Sequence, residues 1–165
     1  MSDQIQNTNI KNKGFTIIEV TISIFVITIG IIGIYNLVPQ VVLNNAVNIN
    51  RLVASQLSME GLEIIRNIRD SNWLKGQSWD LGLGSCADGC EIDYNDQNFY
   101  PFSGQGRVLL IDSNGFYNYS VGTATNFTRK ITITNQGNYL DIGVQVSWPG
   151  KYSPFIAGAK LYNWR

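Results

Sequence analysis

The stretch from Lys13 to Val38, KGFTIIEVTISIFVITIGIIGIYNLV, decides the architecture of this chain. Residues 20–50 carry no charged side chain, and residues 15–38 are apolar apart from Glu19 and a few Thr, Ser, Asn and Gly. At about 1.5 Å per residue, residues 15–38 form a helix of about 36 Å, enough to cross a hydrocarbon core of about 30 Å. Ile and Val favour strand in water. In lipid the helix wins, because every backbone N–H and C=O must be satisfied within the segment.

The flanking charges orient the span. Lys11 and Lys13 precede it, and the next base is Arg51. Positive residues stay on the cytoplasmic side, so the body is expected outside the membrane. An ordinary secretory signal places its small-residue cleavage site after the apolar run. Here the small residue, Gly14, comes before it. A cut at that point leaves the hydrophobic helix on the mature protein. Glu19 stands out, because a carboxylate inside a membrane helix costs roughly 2.5–3.5 kcal/mol and such residues are usually paired and functional. Cleavage after Gly14 creates an α-amine on Phe15, four residues away and just over one helical turn. That amine, on the same or a neighbouring chain, is a natural partner for Glu19.

The run KGFTIIEV, residues 13–20, resembles the class III signal of type IV prepilins and pseudopilins. The resemblance implies that a prepilin peptidase cuts between Gly14 and Phe15 and that Phe15 is N-methylated. It also implies that Glu19 guides filament assembly. Pro39 falls a little later than the helix-kinking proline of many pilins, and Gly30 and Gly33 are further weak points, so a kink is expected between residues 30 and 39. The run EGLEIIRNIRDSNW, residues 60–73, resembles a segment of some pilin-like proteins related to minor pilins.

Past Pro39 a helical pattern resumes. Leu52, Leu57, Met59, Leu62, Ile65 and Ile68 recur at mostly three- and four-residue steps, and the helix is expected to end near Asp70. Arg51, Glu60, Glu63, Arg66, Arg69 and Asp70 read as a solvated face, with contact between subunits the alternative, and Glu63–Arg66 and Arg66–Asp70 are at favourable spacing. Residues 71–105 lack periodicity and read as a loop-rich connector. Strands are expected at 107–111, 116–121, 128–134, 139–148 and 157–164. The best of them places Leu140, Ile142, Val144, Val146 and Trp148 on one face, suited to packing on the long helix.

The 165 residues include no histidine, 12 bases and 12 acids. Ser-His and Cys-His catalysis and His-ligated zinc are excluded for this chain. A near-zero charge suggests no nucleic-acid partner; only Arg129-Lys130 and scattered bases occur. The two cysteines, Cys86 and Cys90, fit neither a zinc site nor a C-x-x-C redox pair, and outside the cytoplasm they read as a disulfide. Asp93, Asn95, Asp96 and Gln97, and Asp112 and Asn114 before Gly115, are acidic loops that do not complete a calcium pattern. Asp-Ser-Asn-Gly reads instead as a hairpin turn. Asn118-Tyr-Ser and Asn126-Phe-Thr match short glycosylation sequons and carry no assignment.

The expected fold is α+β and pilin-like, a long N-terminal helix packed on a C-terminal antiparallel sheet. Its parts are a leader (1–14), a transmembrane and assembly helix (15–38), an amphipathic continuation (39–70) and an extracytoplasmic head (71–165). The expected function is structural, as a minor pilin or pseudopilin of a type IV pilus or a related type II secretion or competence filament. A filament-tip adhesin or DNA-uptake module on the same scaffold is the alternative. No enzyme activity, cofactor or metal is expected. The expected partners are prepilin peptidase, other pilin subunits through the N-terminal helix, and membrane lipid before assembly. The expected location is the cytoplasmic membrane in a single pass, leader inside and head outside, and then a periplasmic or extracellular filament.

Overall fold

The computed structural model describes residues 14–84, 86–150 and 152–164, except the side chain of Asn36. All of the expected leader but Gly14, including Lys11 and Lys13, lies outside the described residues. One helix, α1 (Ile17–Leu74), is followed by seven strands: β1 (Cys90–Glu91), β2 (Tyr100–Pro101), β3 (Val108–Ile111), β4 (Tyr117–Asn118), β5 (Thr123–Asn135), β6 (Tyr139–Ser147) and β7 (Phe155–Tyr162). Every pairing is antiparallel. This is the α+β, pilin-like architecture expected.

The chain divides into two compact units, Met1–Asn44 and Asn45–Arg165. In the first, the large apolar side chains of α1 from Ile17 to Leu43 are exposed. The helix is long and apolar enough to cross a membrane, with a mean hydropathy of 2.5 over its best window. Pro39 lies inside α1 and does not end it.

In the second unit, the last turns of α1 cover the inner face of the sheet. The buried stripe is Ala54, Leu57, Ser58, Leu62 and Ile65, at steps of three and four. Leu52 and Met59, expected on this face, are instead exposed, because the stripe facing the sheet runs beside them. Gly61 continues it: a Cβ there would lie 3.0 Å from Val144 Cγ1, so glycine lets helix and sheet backbones approach closely. Leu140, Ile142, Val144, Val146 and Trp148 are all buried, as the alternation required. β5 is the hub of the sheet, pairing with β1, β3 and β6.

α1 continues past Asp70. Its end is a Schellman motif: Gly76 N–H donates to Trp73 O (3.1 Å) and Gln77 N–H to Asn72 O (2.9 Å), with Gly76 left-handed at φ 68°. The stop is therefore Gly76, several residues beyond the expected end near Asp70. Asn72 stays helical and turns its amide to Leu81 O (2.9 Å). β5 starts at Thr123, well before the expected residue 128, so residues 123–127 lie in strand. β4 is shorter than expected because Asn118 Oδ1 accepts the N–H groups of Ser120 and Val121, bending the chain away after Asn118. The connector contains two strands of two residues, β1 and β2, too short to show alternation.

Candidate functional site

The N-terminus of α1 is built by a short local code. Thr16 caps the helix: Glu19 N–H donates to Thr16 Oγ1 (3.3 Å), while Thr16 N–H and Thr16 Oγ1 both donate to Glu19 Oε2 (2.9 Å each). This is a reciprocal capping box, Thr-x-x-Glu, which satisfies orphan N–H groups and sets a carboxylate against the positive end of the helix. The signal for it, Thr16-Ile-Ile-Glu19, stood in the sequence unread. Within one chain, then, the partner of Glu19 is Thr16. Gly14 lies just before the cap, with no other atom within 4 Å of where a Cβ would stand, and Phe15 is 88% exposed. Gly14 and Phe15 are thus exposed, outside the helix and just ahead of its cap.

In the second unit the head is held by buried polar groups that sequence reasoning did not single out. Arg129 on β5 has no exposed surface; its Nη1 donates to Leu57 O (3.1 Å) and its Nη2 to Ile92 O (2.8 Å). Glu60 on α1 pairs with it at 3.2 Å. Half of the Arg129-Lys130 basic pair is therefore internal, and Lys130 stands over the Phe102 ring. Glu91, also buried, takes Arg107 N–H (2.6 Å) and Arg107 Nε (2.5 Å). Arg107 is sandwiched between the Tyr100 and Tyr119 rings. Burial works against the charge on Arg107, but the Glu91 carboxylate outweighs it and raises the pKa above the ordinary arginine value. Burial pushes the Tyr119 hydroxyl up to about 12.

The charged run of α1 is only partly a solvated face. Glu63 and Arg66 pair on the surface as expected. Asp70 pairs with Arg69 and not with Arg66, and Arg69 lies over the Trp73 ring. Glu60 points inward to Arg129.

Cys86 and Cys90 are joined in a disulfide. Cys86 O accepts Ile133 N–H (3.1 Å) and Cys90 pairs with Ile131, so the small ring is clipped to β5. The acidic loops are closed by their own backbone. Asp93 accepts the N–H groups of Asn95 (2.8 Å), Asp96 (3.1 Å) and Tyr119 (2.7 Å). Asp112 accepts those of Asn114 (2.8 Å) and Phe116 (2.9 Å), the hairpin turn expected between β3 and β4. Their carboxylates are thereby committed to turn formation.

Residues 9–35 match the family described as the prokaryotic N-terminal methylation motif, the type IV prepilin-type signal. The match covers Gly14, Phe15, the Thr16–Glu19 box and the first part of the apolar helix. It supports a type IV pilin-like or pseudopilin precursor, and it implies processing by prepilin peptidase and assembly with other pilins. No curated protein and no solved structure matches the chain.

Proposed function

We propose that this chain is a structural subunit, a minor pilin or pseudopilin, of a type IV pilus or a related type II secretion or competence filament. It is made as a membrane precursor with its leader in the cytoplasm. Prepilin peptidase cuts it between Gly14 and Phe15 and methylates Phe15. The observation that carries the reading is the motif at residues 9–35 together with a helix whose large apolar side chains from Ile17 to Leu43 are exposed. Such a surface requires lipid before assembly and other helices afterwards. The role is structural and not catalytic: the head spends its buried charges on its own backbone, as Arg129 and Asp93 do.

Glu19 is the assembly residue in this reading. Its carboxylate starts the helix in the single chain and meets the Phe15 amine of a neighbouring subunit once the leader is gone. Mass spectrometry of the protein recovered from its native membrane tests the processing step. The expected mature N-terminus is N-methylated Phe15. A chain beginning at Ser2, or after residue 30, overturns it.

A further inference from the structure

The head carries a groove of about 670 Å³, between the β5–β6 ladder and the segment that leads into β3. Its volume falls in the range of about 300–1,000 Å³ common to small-ligand sites. Its walls combine Phe102 and Trp148 with the amides and hydroxyls of Gln105, Asn126, Thr128 and Gln145, and among the described residues no Asp, Glu, Lys or Arg lines it. We propose that this groove is a binding site for a neutral carbohydrate.

Three observations support that ligand class. The first is a β-bulge. Val108 pairs with Thr128 and Leu110 with Ala124, so residues 125–127 of β5 oppose Leu109 alone. The bulge is fixed by Thr125, whose hydroxyl donates to Leu109 O (2.7 Å) and accepts Phe127 N–H (3.2 Å). Phe127 anchors it from below, buried against Trp148 with ring centroids 6.1 Å apart. Asn126 is left exposed at the apex, on a pinned backbone. Bulges of this kind re-aim a side chain beside a site.

The second is unspent hydrogen-bonding capacity. Among the described residues, the side chains of Gln105, Asn126 and Thr128 bond to no other protein group. Gln145 spends only its Nε2, on Ser147 Oγ (3.2 Å). These groups offer both donors and acceptors around an apolar floor. A pyranose has the matching surface, a C–H face and a rim of hydroxyls.

The third is what the groove rejects. An anionic ligand would be desolvated with no counter-charge among the described residues of the wall. An extended peptide needs a free strand edge to bond its main chain. Here Thr128 is paired on both sides, with Val108 and with Ser147.

Saturation-transfer NMR on the full chain in lipid nanodiscs tests the proposal. Nanodiscs replace maltoside detergents, which carry the chemistry under test. The probes are cellobiose, lactose and chitobiose, with sialyllactose and an alternating Val-Thr hexapeptide as comparators. At least one neutral disaccharide should receive saturation. Its affinity should fall about fivefold in Asn126→Ala and again in Gln145→Ala, the effect of one lost hydrogen bond each. Both sites are on the surface, so melting temperatures should not move; where Asn126→Ala does lower the melting temperature, Thr128→Val takes its place with the same expected loss. Absence of transfer to all three neutral sugars overturns the proposal. So does undiminished binding in the variants, or stronger transfer to sialyllactose or the peptide.

Discussion

The guanidinium of Arg129 on β5 lies 3.2 Å from the carboxylate of Glu60 on α1, and this contact ties the helix to the sheet through charge as well as packing. Arg129 has no exposed surface, whereas a third of the Glu60 side chain is exposed. Arg129 Nε and Glu60 Oε1 have no hydrogen-bond partner among the described residues. The pair is therefore a close ion pair and not an aligned hydrogen bond. Around it, Leu57 O and Ile92 O each accept one N–H of the guanidinium.

Breaking one side of a buried pair costs about 3–5 kcal/mol, because a charge or a carbonyl is left uncompensated. Arg129→Ala should therefore destabilise the head by about 3–5 kcal/mol, since it also opens a cavity beside Gly61 and Val144. Glu60→Gln keeps the side-chain volume but removes the carboxylate charge beside a fully buried guanidinium, so it should cost about 3 kcal/mol, the lower end of that range. Urea unfolding followed by tryptophan fluorescence measures both. An Arg129→Ala variant within about 1 kcal/mol of the parent contradicts this account.

The Cys86–Cys90 bond closes a ring of only a few residues, so its entropic contribution is small, about 2 kcal/mol on the loop-closure argument. Its greater effect is local, holding Cys86 O against Ile133 N–H. Both cysteines are buried, at 0% and 2% exposure. Maleimide labelling of the folded protein should find neither thiol, and should find both after reduction in denaturant and removal of the reductant. Labelling of either cysteine in the folded protein without reductant means that the bond is absent.

Tyr119 sets an alkaline limit to stability. Its folded pKa, pushed up to about 12 by burial, lies above the unfolded value of about 10. The folded state therefore holds the phenolic proton more tightly than the unfolded chain does. The resulting stabilisation is fully present below about pH 10 and is lost as pH rises towards about 12, to the extent of about 2–3 kcal/mol. Unfolding measured from pH 8 to pH 12 should show this fall. Tyr119→Phe should flatten it, while losing only the long bond to Arg129 O (3.4 Å) at neutral pH. An unchanged alkaline slope in the variant assigns the effect to another group.

Local patterns in the sequence were legible, and non-local pairings were not. The apolar run of α1, the β6 alternation from Leu140 to Val146 and the Asp112 turn are each written in one continuous stretch, so period and turn chemistry suffice. The helix stop was misplaced because Ser71-Asn72 and Gly76 both signal an end, and only the Schellman bonds choose between them. β1 and β2 were invisible because strands of two residues have no period. The inward turn of Glu60 was hidden for a different reason: its partner, Arg129, arrives from β5, and nothing near Glu60 announces it. The groove is likewise assembled from segments distant in sequence. The Thr16–Glu19 box, by contrast, was readable, and was passed over because Glu19 was already explained by assembly.

That double reading of Glu19 calls for a test that separates its two roles. As a capping residue, Glu19 needs only a side-chain oxygen facing Thr16 N–H, and glutamine supplies one. As an assembly residue it needs its charge. In a bundle of helices the effective dielectric is low, so the Phe15 amine of one subunit and the Glu19 carboxylate of its neighbour attract strongly, and either one alone is destabilising. Glu19→Gln should therefore leave the helix start, membrane insertion and cleavage after Gly14 intact, and should abolish incorporation into filaments. Glu19→Ala should behave likewise in assembly while also loosening the first turn by about 1 kcal/mol. Both variants should enter the membrane at least as readily as the parent, because an intramembrane charge has been removed. The measurement is fractionation into membrane and sheared-filament pools, with the mature N-terminus read in each. If Glu19→Gln is cut and reaches filaments as well as the parent does, the charge has no part in assembly and Glu19 is a helix cap alone.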